Sequence, residues 1–462
     1  MKKYTLQVPL LALALLGGCA MAPAYQRPSA AEPARFKEAE GWLPAAPADT
    51  LERGPWWTLF GDPVLNQLAG AVEVSNQNVA AAAAAYEQAR ALARGQRAAL
   101  LPSVNLTGGA SRSGGGTTGA PGDNYRAALG AGWEPDLWGR LRAGLNGATA
   151  GAAASAADLA AARLSAQGAL ASAYFSLRQS DAQLALLADT VVAYRRALEI
   201  TQNRFNAGIA AKSDLLQAQT QLANAQVSSL NASRLRAQYE HAIAVLLGKA
   251  PAEFSLAVAP WQALVPEIPP GLPSTLLQRR PDIAGAERRV AVANEQIGIA
   301  RAAYFPSLNL SASYGGGASR LGDLLNASSS LWSLGVSLAQ TVFDGGAIDA
   351  GVAGARAARD AAVAHYRQTV LSALGEVEDR LAATRALALQ QDLQRQASLA
   401  ADQVEAQLLN RYRAGQVSYS DVVGAQVAAL SARQALMQAQ ADRQSTAVAL
   451  IQALGGGWHA PE

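Results

Sequence analysis

Two periodicities divide the chain. From about Arg140 to Asn206, and again from about Ala347 to Ala414, no proline interrupts runs rich in Ala, Leu, Gln and Arg, all residues that suit a helix interior. Each tract predicts a helix of roughly 65 residues, about 100 Å long at 1.5 Å per residue. Helices of that length pack in coiled coils or bundles, and abundant Ala lets neighbours approach closely.

Ahead of each long tract the period changes from 3.6 to 2. Val104, Leu106, Gly108 and Ala110 alternate with Ser103, Asn105, Thr107 and Gly109; Tyr125, Leu129 and Trp133 alternate with Asn124, Arg126 and Gly130. Leu308, Leu310, Ala312 and Tyr314 alternate with serines and Asn309, and Trp332, Leu334, Val336 and Leu338 with Ser333, Gly335 and Ser337. The pattern predicts strands at 103–111, 124–134, 307–314 and 331–342, with Gly-rich loops between the members of each pair. Strands of about ten residues with terminal aromatics are the signature of an outer-membrane barrel, although a soluble hairpin with one wet face shares it. Four strands cannot close a barrel, and an open edge in lipid strands backbone groups without partners. At least two chains must therefore share one barrel, since the smallest bacterial barrels have about eight strands.

The chain is one unit written twice. Arg204-Phe-Asn-Ala-Gly208 through Ser213-Asp214 reads against Arg411-Tyr-Arg-Ala-Gly415 through Ser420-Asp421 at an offset of 207 residues, and Leu101-Pro102-Ser103 against Phe305-Pro306-Ser307 at an offset of 204. Matches in the same order at nearly one offset indicate duplication. The expected organisation is a signal peptide at 1–18 and an extended N-terminal arm at 19–61. Repeat 1 follows at 62–250 with its hairpin tip at 204–214, a Pro-rich linker at 251–273, repeat 2 at 274–455 with its tip at 411–421, and a tail at 456–462.

Lys2 and Lys3 precede an apolar segment, Leu6 to Leu16, of signal-peptide length and too short to span a membrane. It ends in Leu16-Gly17-Gly18-Cys19, which reads as a lipobox: Cys19 is the only cysteine, and an ordinary signal peptide would place it there only by chance. The expectation is diacylglycerol plus an N-acyl chain on Cys19, enough acyl chains for stable anchoring. Ala20, where an Asp would favour retention at the inner membrane, favours the outer membrane. No other stretch is long and apolar enough for a membrane-spanning helix.

Composition narrows the function class. There are 38 Lys and Arg against 35 Asp and Glu, only 6% aromatic residues, and three widely separated histidines. That argues against nucleic-acid binding, against a Cys/His metal site, and against an enzyme, since no nucleophile elbow is present. No cofactor or metal is expected.

The residues Trp56-Trp57, Phe60, Asp62-Pro63 and Leu65; Arg279-Arg280-Pro281-Asp282-Ile283; Phe305-Pro306-Ser307-Leu308; Arg411-Tyr412 with Gly415; and Ala453-Leu454-Gly455-Gly456-Gly457-Trp458 together resemble the TolC-like outer-membrane factors, in the lipoprotein branch of drug-efflux outer-membrane proteins (NodT-type). The resemblance covers essentially the whole chain after Cys19. It implies a homotrimer in which three sets of four strands form a twelve-stranded barrel, continued by a long periplasmic α-helical barrel. It further implies two partners, a periplasmic membrane-fusion adaptor and an inner-membrane resistance-nodulation-division pump, and a passive exit duct for drugs or other small molecules. A protein-secretion conduit of the same fold and a poreless lipid-anchored scaffold are the competing readings.

The repeated tip has two readings that are compatible. Gly208 and Gly415 suit the left-handed conformation that ends a helix, and Ser213-Asp214 and Ser420-Asp421 are placed to cap the returning helices. Alternatively, Arg204, Gly208, Arg411 and Gly415 belong to turns that contact the adaptor, and rings of Asp214 and Asp421 set cation preference at the entrance. By resemblance, Asp214 and Tyr412 match a hydrogen-bonded pair that holds the entrance shut. Asp421 matches the first of two constriction aspartates; the second is Gly424 here, which puts a double acidic gate in doubt.

Overall fold

A computed structural model describes residues 21–31, 33–39, 55–114, 122–266, 268, 280–324 and 326–456. The signal segment, Cys19, Arg279, Trp458 and parts of the linker lie outside the described residues. The elements are helices α1 (Pro63–Ser75) and α2 (Gln77–Ala98), strands β1 (Ser103–Ser113) and β2 (Gly122–Trp133), then α3 (Arg140–Asn206) and α4 (Lys212–Leu246). The order then repeats with α5 (Pro281–Ala302), β3 (Ser307–Ala318), β4 (Ser330–Ala339), α6 (Ala347–Arg413) and α7 (Tyr419–Ala453). Helices α3 and α6 are each 67 residues long, as the proline-free tracts predict. Among the described residues no helix is long and apolar enough to cross a membrane.

The chain forms two compact units, each drawn from both sequence repeats: residues 1–30, 84–156 and 284–369 make the first, and 31–83, 157–283 and 370–462 the second. In the first unit all four strands join one antiparallel sheet in the order β1-β2-β3-β4. Register aligns the predicted apolar set in rows: Leu106 faces Leu129, Leu129 faces Tyr314, and Tyr314 faces Trp332. Because side chains alternate with period 2, these rows share one face, and they stand in the open, with Leu106 79%, Tyr314 65%, Trp332 74% and Leu334 77% exposed. The opposite face is mainly Ser, Thr, Asn and Gly, with Arg126, Ala128, Leu331 and Ala339 among them. Its hydroxyls turn onto neighbouring strands, as in Thr107 Oγ1 to the Ala128 carbonyl at 3.2 Å and the Ser313–Ser333 pair at 2.8 Å.

Strand limits differ from expectation at one instructive place. The run Gly315-Gly316-Gly317 reads as loop, yet it pairs with Ala128, Ala127 and Arg126 and extends β3 to Ala318. A Cβ at Gly315 would lie 2.3 Å from the Ala127 carbonyl oxygen, so glycine there permits close approach of two strands. Conversely β4 stops at Ala339, and Val342 and Phe343 beyond it are 93% and 89% exposed. Where helices meet strands, aromatics hold the turns. Trp138 stacks on Phe305 at 4.6 Å and donates to the Pro306 carbonyl at 2.7 Å, and Trp133 donates to the Leu100 carbonyl at 3.0 Å. The arm 21–29 lies along α5: Asn294 donates to the Pro23 carbonyl at 2.7 Å, Tyr25 and Arg27 reach Glu287, and Ala22 packs so tightly on Gly298 that any Cβ there would fall 2.6 Å from its own.

The second unit is organised by buried polar groups. Trp56, Trp57 and Phe60 pack with Tyr174 and Phe175, and the Trp56 indole donates to Gln167 at 3.1 Å. Asp62 caps α1 by accepting from the backbone of Val64 and Leu65 at 2.8 and 3.1 Å, while its other oxygen accepts the Tyr174 hydroxyl. Burial, and then that bond, pushes the Tyr174 hydroxyl up to about 12, so it remains a donor throughout the physiological range. Arg178 and Arg236 bind the two oxygens of Asp181 at 2.9 and 2.6 Å, and both arginines also hold backbone carbonyls of the 256–257 segment. The Arg-Pro-Asp block has a similar explanation. Arg280 binds Asp282 with two nitrogens at 3.0 and 2.7 Å, Glu376 at 2.7 Å and the Ala453 carbonyl at 3.1 Å, tying the start of α5 to α6 and the end of α7.

Removing one member of a buried pair leaves an uncompensated charge. Asp181, whose side chain is 1% exposed between two arginines, is therefore expected to cost about 3–5 kcal/mol on Asp181→Ala, seen as a lowered denaturation midpoint. Exposed Arg90→Gln should leave the midpoint unchanged, because surface ion pairs contribute little. On the sheet, Leu129→Arg should block membrane assembly, at about 2–4 kcal/mol per lipid-facing arginine, as checked by recovery of heat-modifiable protein from membranes.

Candidate functional site

The two hairpin tips fall in the second unit and end their outgoing helices in the same way. Gly208 and Gly415 take φ values of 71° and 73°, a region that a Cβ would disfavour. At the first tip the Ile209 amide bonds the Arg204 carbonyl at 2.8 Å and the Gly208 amide bonds that of Phe205 at 2.9 Å; at the second, Gln416 and Gly415 do the same to Arg411 and Tyr412, both at 2.9 Å. This paired closure satisfies helix-terminal carbonyls. It also explains Gly208 and Gly415 without reference to a partner.

The returning helices differ, and here the sequence reading needs correction. Helix α7 is capped by Ser418, not Ser420: the Ser418 hydroxyl accepts from the Asp421 amide and the Asp421 carboxylate accepts from the Ser418 amide at 3.0 Å, a reciprocal capping box. The Ser-x-x-Asp spacing of 418–421 carried that signal. Helix α4 has Ala211 at the corresponding position and no side-chain cap. Ser213 and Asp214 therefore do not cap it; the Ser213 hydroxyl instead donates to Asp214 at 3.4 Å. A methyl at Ala211 where Ser418 has a hydroxymethyl makes the tips chemically unequal.

Between the tips lies a small core of Ala218, Tyr412, Tyr419 and Val422, with Leu198, Leu409, Val417 and Val423 against it. The Tyr412 and Tyr419 rings sit 5.4 Å apart, and the Arg204 guanidinium lies over the Tyr412 ring at 4.9 Å, within cation–π range. Tyr412 thus joins the two hairpins through its ring. The described hydrogen bonds of this tip do not include one between Tyr412 and Asp214. Burial, chiefly, raises the Tyr419 hydroxyl, with Tyr412 and Asp214 adding to it; neither Tyr419 nor Ser418 was singled out from sequence. Asp421 is exposed, and its carboxyl is held below the ordinary aspartate value by the Ser418 hydroxyl and amide. Arg411 is exposed beside it, and Gly424 has open space around it, with nothing within 4 Å of a would-be Cβ. Among the described residues no group of His, Cys, Asp and Glu is arranged to hold a metal.

Comparison with known proteins accords with this geometry. The outer membrane efflux protein family matches residues 68–249 and 272–456, once for each repeat. The chain belongs to that family. It is 33% identical over 455 residues to a probable efflux pump outer membrane protein, TtgC, of Pseudomonas putida, covering 96% of this chain and 94% of the relative. It is 31% identical to outer membrane protein OprJ of Pseudomonas aeruginosa, covering 99% and 97%. Among solved structures, the outer-membrane channel OprN matches with a TM-score of 0.87 at 30% identity, covering 95% of this chain and all of that one. The open-state MtrE outer membrane channel of Neisseria gonorrhoeae matches at 0.85 and 29%, covering 95% and 98%. The chain is an outer-membrane component of an efflux system, with its strands in the outer membrane and its helices in the periplasm; the family is one of channels, and its named relatives are efflux proteins, not protein-secretion conduits.

The cap makes two checks available. Ser418→Ala should weaken the start of α7 by about 1 kcal/mol, accelerating hydrogen exchange at the Tyr419–Val422 amides about fivefold, whereas Ala211→Ser should slow exchange at the start of α4. Because the Asp421 pKa is depressed in the folded tip, its contribution is fully present at neutral pH. It is lost as pH falls through that depressed value, so the difference between wild type and Asp421→Asn should disappear in acid.

Proposed function

We propose that three chains close their sheets into one twelve-stranded barrel and line up their long helices as a periplasmic tunnel, forming a passive exit duct for small molecules. The observation that carries this reading is the sheet itself, with four strands, an exposed apolar face and two unpaired edges, β1 and β4. Edge β1 of one chain meeting β4 of the next satisfies the backbone groups that lipid cannot. Substrate arrives from an inner-membrane pump of the resistance-nodulation-division class through a periplasmic adaptor that contacts the tip turns at Arg204, Gly208, Arg411 and Gly415. Relatives are named for antibiotic, toluene and solvent efflux, and low-molecular-weight cargo of that kind suits a duct without chemistry of its own. No catalytic step and no cofactor enter this reading.

In the same reading the tips are the gate. Arg204 stacked on Tyr412 and the Tyr412–Tyr419 pair hold the hairpins together, and Asp214 and Asp421, repeated three times around an axis, present acidic rings. Anchoring is shared between the strands and a lipidated Cys19. Support for the lipid comes from the sequence, where Cys19, the only cysteine, ends the run Leu16-Gly17-Gly18-Cys19 behind an apolar segment.

Asp214→Ala or Tyr412→Ala should raise basal conductance in planar bilayers with trimer assembly unchanged, whereas Tyr412→Phe, which keeps the ring contacts with Arg204 and Tyr419, should conduct as wild type; unaltered conductance in both Asp214→Ala and Tyr412→Ala would sink the gate assignment. Gly424→Asp should add acidic charge at the entrance and increase cation preference, read as a shifted reversal potential. Cys19→Ser should lose the lipid yet still form trimers if the strands carry membrane attachment. A photo-crosslinker at Ala210 should capture the adaptor of a drug pump in living cells; capture of a secretion-system adaptor would redirect the function to protein export.

A further inference from the structure

Just before the sheet, in the first unit, a hollow of about 360 Å³ is lined by Met21 of the N-terminal arm, Arg301, Tyr304 and Phe305 at the end of α5, and Asp349, Val352 and Arg356 at the start of α6. We propose that this hollow binds the phosphate of a membrane lipid headgroup, at the periplasmic surface of the outer membrane. The proposal rests on the reading of the sheet as membrane-spanning.

Three observations carry it. The first is level. Phe305 is two residues from the first residue of β3, and the lowest apolar row of the sheet, Leu308 paired with Leu338, follows at once. Tyr304 and Phe305 are 42% and 36% exposed, and Val342 and Phe343, leaving β4 at the same end, are far more so. Exposed aromatics at a strand end mark the lipid–water boundary.

The second observation is charge. Arg356 is exposed, and among the described contacts it has no hydrogen bond and no ion pair, while the one polar contact described for Arg301 is to the Met21 carbonyl at 3.4 Å. One carboxylate, Asp349, shares the lining, which leaves two guanidinium charges against one carboxylate in the hollow. Asp349 accepts the Tyr304 hydroxyl, and Asp344 accepts the Gly346 and Ile348 amides at 2.8 and 2.7 Å as the cap of α6. Two guanidiniums without carboxylate partners, presented to one hollow, match a phosphate, which accepts several charge-assisted bonds at once.

The third is the mixed lining. Met21, Phe305 and Val352 give the hollow an apolar wall beside the arginines, which suits a headgroup continuing into glycerol and acyl chain better than a free anion. Basic pockets at the aqueous end of membrane-spanning segments are a recognised way of holding lipid phosphates.

The test uses the full-length trimer in detergent, delipidated and titrated with phosphatidylglycerol or with diacylglycerol of the same acyl chains, with bound lipid counted by native mass spectrometry. Wild type should retain phosphatidylglycerol in preference to diacylglycerol. Arg356→Gln should bind it about tenfold more weakly, and Arg301→Gln likewise, whereas Arg395→Gln, an exposed arginine far along α6, should bind as wild type. Undiminished binding by Arg356→Gln overturns the site, and displacement of the phospholipid by millimolar inorganic phosphate overturns the lipid assignment in favour of a free-anion site. Planar-bilayer conductance of the same preparations reports on the duct separately. Lost phospholipid with conductance unchanged from wild type supports the site, whereas absence of conductance even when the tips are loosened by Asp214→Ala strikes the duct reading instead.

Discussion

Hydrocarbon offers no partner to an unpaired peptide group, and most of this protein's organisation follows from that constraint. A four-stranded antiparallel sheet is stable enough through its internal ladders, but its outer strands present a row of donors and acceptors each. In water they would be solvated; in lipid each costs several kcal/mol. With the apolar rows Leu106–Leu129–Tyr314–Trp332 exposed on one face, the sheet belongs in lipid, so the edges must find strands of other chains. Oligomerisation is thus a condition of membrane insertion.

The duplication fits the same constraint. Each repeat contributes one pair of strands and one long hairpin, and β2 and β3 join the pairs into a single sheet. The repeats then diverged where their surroundings differ. Ser418 and Tyr419 cap and bury one tip while Ala211 and Lys212 occupy the same places at the other. A capped helix start is stiffer than an uncapped one, so the two hairpins of one chain meet the same force with unequal resistance. Tyr412, buried beneath Arg204 and beside Tyr419, is the side chain that packs the two tips together.

Much of this was legible in the sequence. The long helices were visible because proline is absent from them, and the strands because period 2 survives wherever one face is lipid and the other water. Gly208 and Gly415 announced the helix ends through the duplication. What escaped notice depended on partners distant in sequence. The pairing of Gly315–Gly317 requires the Ala127 carbonyl, and Tyr419 acquires its role only from Tyr412 and Val422 packed around it. The Ser418 cap was missed for a different reason. Two serines lie within three residues, and the duplication points to Ser420, whose counterpart is Ser213, whereas the capping Ser418 has Ala211 in its place at the other tip.

The distribution of polar groups indicates where selectivity can reside. The inner face of the sheet is built of serines, glycines and Asn or Thr whose hydroxyls are largely turned to neighbouring strands. Arg126 is the charged side chain among its paired positions, and it bonds Asn124 on its own strand. Such a surface has little with which to distinguish one solute from another. Charge lies instead on the helices and their tips, where Arg204, Arg411, Asp214 and Asp421 are within a few residues of the turns; in the gate reading proposed above, a charged ring acts most strongly where the passage is narrowest. A duct lined in this way conducts without recognition along the sheet, so the range of molecules it passes is set by what delivers them.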